Sequence, residues 1–390
     1  MCGLSGALFS SAQPLAPLSP LLTMLAHRGP DGTGLLWREG GRPQRVAQPD
    51  AMPPQSDTLW VHHRLAVIDV SAQAAQPFSD ETGRWWLVFN GEIYNYLELR
   101  EELMQQGVRF STQSDTEVLL AAFLHWGEGC WQRLHGMWAA VIWDARDDVF
   151  TFSRDRFGMK PLYYAQAEQG LYFASEIKAL LPLLRQRPGI HMRAAADFLA
   201  SGTSDHLEES FFSGVYTFPP AHYATWRRGQ NLKPQRYWQL ERHAQAANAG
   251  ELRALLGQSV AEHLRSDVTL GMCLSGGLDS SALLALAHEK THAQPHCFTA
   301  VHAGFAQDER RWAEAMARHV QSPWHAVAPT PEKLLADWDA LLWHQEQPFG
   351  SFSIYAQYCV QREAAAAGMK VVLSGQGADE ALCGYSKYYY

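Results

Sequence analysis

The pattern of apolar and polar positions changes character halfway along the chain. In the first half, short apolar runs alternate with turn residues. Residues 85–89 read as a strand that stops at Asn90-Gly91, a pair that favours positive φ and so predicts a turn. Residues 137–143, 144–148 and 149–152 read as strand, turn and strand, and 172–174 as another short strand. Residues 116–126 carry apolar side chains at helical spacing. Strands rich in Trp and Phe, joined by close turns with few helices, predict a sandwich of antiparallel sheets with helices on its faces.

The second half has a different rhythm. Leu252, Leu255, Leu256, Val260 and Leu264 fall on one face of a helix. A short apolar strand over 268–274 runs into Ser275-Gly276-Gly277, with a Leu/Ala-rich helix from Ser281. A second strand over 296–301, a helix over 309–320 and a third strand over 370–373 follow, the last again running into Ser-Gly. Strands alternating with helices predict a doubly wound parallel sheet, whose ligands lie beyond the carboxyl ends of its strands. The stretch 186–240, with Phe218-Pro219-Pro220 and several glycines, reads as an inter-domain connection. The expected organisation is therefore 2–185, a connection over 186–240, and 241–390.

Composition narrows the class. At 390 residues the chain exceeds one ordinary core. The net charge of −8, with no basic run to offset it, argues against a nucleic-acid partner. The longest apolar runs, such as 137–143, fall far short of the ~20 residues a membrane span needs. No basic residue precedes the first apolar stretch, which Pro14, Pro17 and Pro20 interrupt, so no signal peptide is expected. Six scattered cysteines without a CxxC pair fit a reducing cytoplasm, and the 17 histidines show no metal-ligand spacing.

Met1-Cys2-Gly3 carries the first chemistry. Removal of Met1 would leave one residue supplying a thiol and a free α-amine, which can take the thiol proton near neutral pH. Together with Gly6, HRGPDG (27–32), HHRLAVID (62–69), FNGEIYN (89–95) and SDTEV (114–118), it resembles the class II glutamine amidotransferases. RDRFGMKPLYY (154–164) and FASEIKAL (173–180) extend the resemblance to the asparagine synthetases. The resemblance implies a four-layer αββα sandwich of the N-terminal nucleophile type. It also implies that Cys2 attacks the glutamine amide, with Asn90 and Gly91 as the oxyanion hole. Arg64 would take the glutamine α-carboxylate, Asp115 with Glu92 the α-ammonium, and the backbone around Leu65 and Val67 would complete the pocket.

SGGLDSS (275–281) after an apolar strand, opening a helix, presents backbone N–H groups and hydroxyls suited to a polyphosphate. It resembles the pyrophosphate loop of N-type ATP pyrophosphatases, which implies an α/β doubly wound second domain. ATP would then lie on Leu274, Ser275, Gly276, Gly277, Asp279 and Ser280. SGQGADE (374–380) resembles the second nucleotide segment of that family, with Ser374 and Gly375 on ATP. Asp279 and Asp379 would hold Mg²⁺, and Gln376, Asp379 and Glu380 would face the acceptor. Well-known asparagine synthetases have Glu where this chain has Gln376, and they continue beyond the position of Tyr390 with helices that include a catalytic Lys. On the resemblance, the chain is a C-terminally truncated synthetase with glutamine, ATP and aspartate as substrates, cytoplasmic, with a homodimer compatible. Its expected products are asparagine, glutamate, AMP and pyrophosphate by way of β-aspartyl-AMP. Amidation of a sugar acid or peptide carboxylate, or a synthetase-silent paralogue that keeps glutaminase, stays open.

Overall fold

The computed structural model describes every residue except 51, 185, 242–247, 307, 386–387 and 389–390. The chain forms two compact units, Met1–Arg242 with Glu346–Pro348, and His243–Gln345 with Phe349–Tyr390. Tyr390, where the resemblance implied a truncation, lies outside the described residues.

Among its described residues the first unit contains thirteen strands in chain order: β1 Gly3–Pro14, β2 Gly32–Glu39, β3 Arg42–Ala47, β4 Gln55–Arg64, β5 Phe78–Ser79, β6 Trp85–Ile93, β7 Gly136–Asp144, β8 Val149–Arg154, β9 Tyr163–Ala167, β10 Gly170–Ala174, β11 Tyr216–Thr217, β12 His222–Trp226 and β13 Gln235–Arg236. Its helices are α1 Leu21–Met24, α2 Tyr96–Gln105, α3 Asp115–Trp126, α4 Cys130–Arg133 and α5 Met192–Ser201. One sheet runs β11-β9-β10-β1-β4-β2-β3 and the other β13-β12-β8-β7-β6-β5.

Both sheets are covered on both faces, which is why their strands read as nearly continuous apolar runs. Leu8, Trp60, Val88, Val141, Phe152 and Phe173 fill the space between the sheets. The other face of the β6–β7 sheet packs Leu87, Phe89 and Ile142 against Leu103 of α2, Leu119 of α3 and Trp131 of α4. The outer face of the β1–β4 sheet packs Ala7, Leu59 and Val61 against Leu21, Leu25, Ile177 and Leu180 on short turns. Four layers result, αββα.

Two expectations are corrected here. Asn90-Gly91 is not a turn: β6 continues through both residues to Ile93, pairing Asn90 with Ala139 and Gly91 with Trp138. A Cβ on Gly91 would lie 2.0 Å from the Met137 carbonyl oxygen. The glycine is needed there for close approach of β7, not for a left-handed backbone. Nor is 186–240 a connection. Its segments form β11, which extends the first sheet, and β12–β13, which extend the second, while Phe218 and Trp226 are buried between the sheets. Apolar anchors spaced between the prolines outweigh the loop-like composition.

In the second unit, β14 Leu270–Cys273, β15 His296–Ala300, β16 Trp324–Val327 and β17 Val371–Leu373 form a parallel sheet in the order β16-β15-β14-β17. Its helices are α6 Ala249–His263, α7 Leu278–Thr291, α8 Arg310–His319, α9 Pro331–Ala336, α10 Trp338–Gln345, α11 Ser353–Ala366 and α12 Ala378–Leu382. Met272, Leu274 and Cys297 pack on α7 and α8, and Phe298 packs on Val360 and Ala364 of α11. The strand order reverses between β14 and β17, so the loops following these two strands meet at the switch point where such sheets bind ligands. Among the described residues no helix is long and apolar enough to cross a membrane.

Candidate active site

Cys2 immediately precedes β1, whose first residue pairs Gly3 with His63 of β4. That pairing sets Cys2 beside the end of β4, where the Leu65 N–H lies 3.3 Å from its Sγ and the Leu65 carbonyl 3.6 Å. Burial pushes the thiol pKa up, against the opposing pull of the chain terminus, the Leu65 hydrogen bond, Lys160 and Arg64, so the resting sulfur is protonated. The Met1 α-amine is pushed down to about 5, chiefly by burial, with Arg28 and Lys160 also lowering it. The Met1 amine is therefore uncharged near neutrality.

Arg28, to which the sequence assigned no role, locks the start of the chain. Its Nε donates to the Cys2 carbonyl at 2.9 Å and its Nη1 to Glu176 at 2.7 Å. Glu176 also meets His27 at 3.1 Å and Lys178 at 2.6 Å. Its carboxyl lies well below the usual carboxylate range; burial opposes that shift, and His27, Arg28 and Lys178 override it. Glu346, the second-half residue gathered into this unit, accepts from the Ile177 and Lys178 backbone N–H groups at 2.9 and 2.6 Å. The HRGPDG and FASEIKAL motifs contained Arg28, Glu176 and Lys178, but spacing alone could not show that they converge.

On β6, Asn90 is fully buried, yet neither its side-chain Nδ2 nor its Oδ1 has a hydrogen-bond partner among the described residues. Leaving such an amide unpaired costs about 1–3 kcal/mol. Asp115, the first residue of α3, lies alongside. Its Oδ2 accepts from the Ile93 N–H at 3.1 Å, and Ser114 caps the helix by accepting from the Thr116 N–H. Burial raises the Asp115 pKa to about 7, opposed by the Ile93 hydrogen bond and reinforced by nearby Glu92. Burial likewise raises Glu92, with Lys160 opposing.

Arg64, expected as a free fork, is partly committed. Its Nη1 donates to the Ser71 carbonyl at 2.6 Å and its Nη2 to the Asp69 carbonyl. The two bonds fold the 65–71 segment, and Asp69 ties it to the α3 approach by accepting from the Gln113 N–H at 2.8 Å. Arg64 thus shapes the loop carrying Leu65 and Val67 and has guanidinium N–H groups beyond those two bonds.

In the second unit, the loop after β14 is closed by its own serines. The Gly277 N–H donates to Ser275 Oγ at 3.1 Å, and the Ser275 and Ser280 hydroxyls are 3.1 Å apart. Gly276 has φ +88°, and a Cβ there would sit 2.6 Å from the Ala313 nitrogen, so only glycine lets the loop pass α8. The loop after β17 touches it: a Cβ on Gly375 would lie 3.1 Å from the Ser280 nitrogen and 3.3 Å from Asp279 Cβ. Leu274 is buried beneath, while Ser275 and Gln376 are exposed and Ser374 is half-buried. Asp379 Oδ1 packs against Gly384, and exposed Glu380 accepts from the Tyr385 hydroxyl at 2.7 Å. Among the described residues, no three His, Cys, Asp or Glu gather as a metal cluster.

Comparison with known proteins agrees with this division. Residues 1–238 match the glutamine amidotransferase domain family and residues 251–390 match asparagine synthase. Asparagine synthetase [glutamine-hydrolyzing] 1 of Bacillus subtilis is 33% identical over all of this chain and 59% of its own length. Amidase chyE of Penicillium rubens is 29% identical over 94% of this chain and 54% of its own. The B. subtilis glutamine phosphoribosylpyrophosphate amidotransferase structure covers 96% of the chain and is itself covered over 90%, at 16% identity and a TM-score of 0.46. The chain spans 59% and 54% of the length of the two curated relatives named here. It belongs to the glutamine amidotransferase domain family, with an asparagine synthase match following in the same polypeptide.

Proposed function

We propose that the first unit hydrolyses glutamine at Cys2 and that the second activates a carboxylate with ATP for attack by the ammonia released. The observation that carries the first half is the Asn90 amide, buried and without a hydrogen-bond partner among the described residues. The α-amine takes the Cys2 proton as the sulfur adds to the glutamine amide carbon. The carbonyl oxygen, now negative, takes hydrogen bonds from Asn90 Nδ2 and the Gly91 N–H. Collapse returns the proton to nitrogen and expels ammonia, leaving a thioester that water hydrolyses to glutamate. Arg64 with the Leu65–Val67 backbone would seat the α-carboxylate, and Asp115 with Glu92 the α-ammonium.

In the second unit, the ATP phosphates would lie against Gly276, Gly277, Ser275 and Ser280, with Ser374 and Gly375 closing the site. The carboxylate oxygen attacks the α-phosphorus and pyrophosphate leaves; ammonia then displaces AMP. The donor set suits Mg²⁺, which leans on phosphate oxygens and water and needs few protein ligands. Asp279 and Asp379 would hold it, since their loops are in contact, and it would neutralise charge on the polyphosphate. Aspartate is the favoured acceptor, giving asparagine. The second reading is another carboxylate, supported by Gln376, which cannot act as a base, and by the amidase-named relative. Assaying pyrophosphate release with aspartate against a panel of carboxylates decides between them. Release with a sugar acid but not aspartate would replace the first reading by the second.

A further inference from the structure

The edge of β6 that carries Asn90 and Gly91 is incomplete as a strand. Alternate residues of an antiparallel strand turn their N–H and C=O groups to the same side. On the β5 side of β6 these are Leu87, Phe89, Gly91 and Ile93. β5 pairs Phe78 with Leu87 and Ser79 with Trp86, and does not reach Phe89. Side chains replace the missing strand. The Phe89 N–H donates to Gln76 Oε1 at 2.6 Å, the Phe89 carbonyl lies 3.1 Å from His62 Nε2, and the Ile93 N–H donates to Asp115. Gly91 lies between the supported residues on that edge.

His62 comes from β4 in the opposite sheet, so it braces one sheet against the other. It is fully buried, and burial pushes its pKa down to about 3, so the ring is neutral throughout the working range. A carbonyl can only accept, so Nε2 must carry the proton and donate to Phe89. Nδ1 is buried without a partner among the described residues. Gln76 does a second thing: its Nε2 donates to Thr116 Oγ1 at 3.3 Å, linking the Phe89 peptide to the helix turn that bears Asp115.

We propose that His62 and Gln76 are positioning residues that hold the Phe89 carbonyl and N–H respectively and thereby aim the Asn90 amide and the Gly91 N–H at the developing oxyanion. Neither touches the substrate. The inference rests on the glutaminase reading above and deepens it. Loss of either support lets the β6 edge move where no strand restrains it, and a preorganised donor loses its value when it can drift.

The test is a set of variants in the full chain, assayed for glutamine hydrolysis. His62→Leu and Gln76→Met should each lower kcat by about ten- to a hundredfold, below the loss from deleting a donor outright, with KM changed less than about twofold. L-Glutamate γ-semialdehyde, whose carbonyl carbon is attacked by the Cys2 sulfur while the thiol proton passes to its oxygen, should bind more weakly by the same factor. Glutamate affinity and the rate of Cys2 alkylation by iodoacetamide should stay unchanged. His62→Gln, which keeps a donor, should recover part of kcat. Should His62→Leu not fold, Gln76→Met reads the same peptide alone. Parallel loss of kcat, glutamate affinity and alkylation would make the residues merely structural and overturn the proposal, as would unchanged kcat in both variants. Cys2→Ala and Asn90→Ala separate the two levels. Full activity in Cys2→Ala defeats the glutaminase reading itself. Activity lost in Asn90→Ala but kept in the His62 and Gln76 variants defeats only this inference.

Discussion

Asp115 offers a prediction whose size follows from its surroundings. Its carboxyl is buried, and in the free protein it titrates near about 7 because burial and Glu92 outweigh its hydrogen bonds. Only the ionised form can pair with the α-ammonium of glutamine. With a pKa of about 7, about nine-tenths of the sites are ionised at pH 8, about a tenth at pH 6 and about a hundredth at pH 5. Glutamine affinity should therefore weaken about tenfold from pH 8 to pH 6, and about a hundredfold by pH 5. The measurement is calorimetric titration of L-glutamine into the Cys2→Ala protein, which removes turnover, across pH 5–8. Binding at pH 6 should release close to one proton to buffer. Glutaramate, which lacks the α-ammonium, supplies the control and should show no such climb. A dissociation constant flat from pH 5 to 8, or an equal slope for glutaramate, would refute the pairing of Asp115 with the ammonium.

The same shift has a consequence for the ligand-free protein. A folded-state pKa raised above its unfolded value makes an acid's contribution most favourable at low pH; that contribution falls as pH rises towards about 7. Asp115→Asn should then raise the melting temperature at pH 8 while removing glutamine binding, and an unchanged melt would contradict the burial argument. Gly91→Ala, with its Cβ 2.0 Å from the Met137 carbonyl, should separate β6 from β7 and cost about 1–3 kcal/mol in denaturant unfolding. Asp279→Asn and Asp379→Asn should each weaken Mg·ATP binding without affecting glutamine hydrolysis, and calorimetry with Mg·ATP tests this. Turnover that releases orthophosphate and ADP would count against the role given to the 275–280 loop.

Much of the architecture was legible because burial leaves a simple imprint on sequence. The run 137–143 is apolar at every position because both faces of β7 are covered, and it could be read at once as a strand. The Ser-Gly endings of β14 and β17 marked both loops at the switch point of the parallel sheet. What misled was chemistry that serves two purposes. Asn90-Gly91 has turn composition, but the Asn90 amide is buried without a partner among the described residues and Gly91 clears the β7 backbone. The Pro-Gly stretch 186–240 hid Phe218 and Trp226, which pack on Phe152 and Tyr164 and on Phe150 respectively, strands too far back in the chain for any local pattern to reach. His62 and Gln76 were invisible as functional residues for the same reason. Their meaning comes from a strand that stops short, and only the register of β5 against β6 reveals it.

The most direct test of the central claim compares glutamate formation from L-glutamine by the wild-type chain and by Cys2→Ala, with Mg·ATP binding measured on both. The account predicts glutaminase activity in the wild type, its loss in Cys2→Ala, and equal nucleotide affinity in the two. Glutamate formation at the wild-type rate without the Cys2 thiol would contradict it.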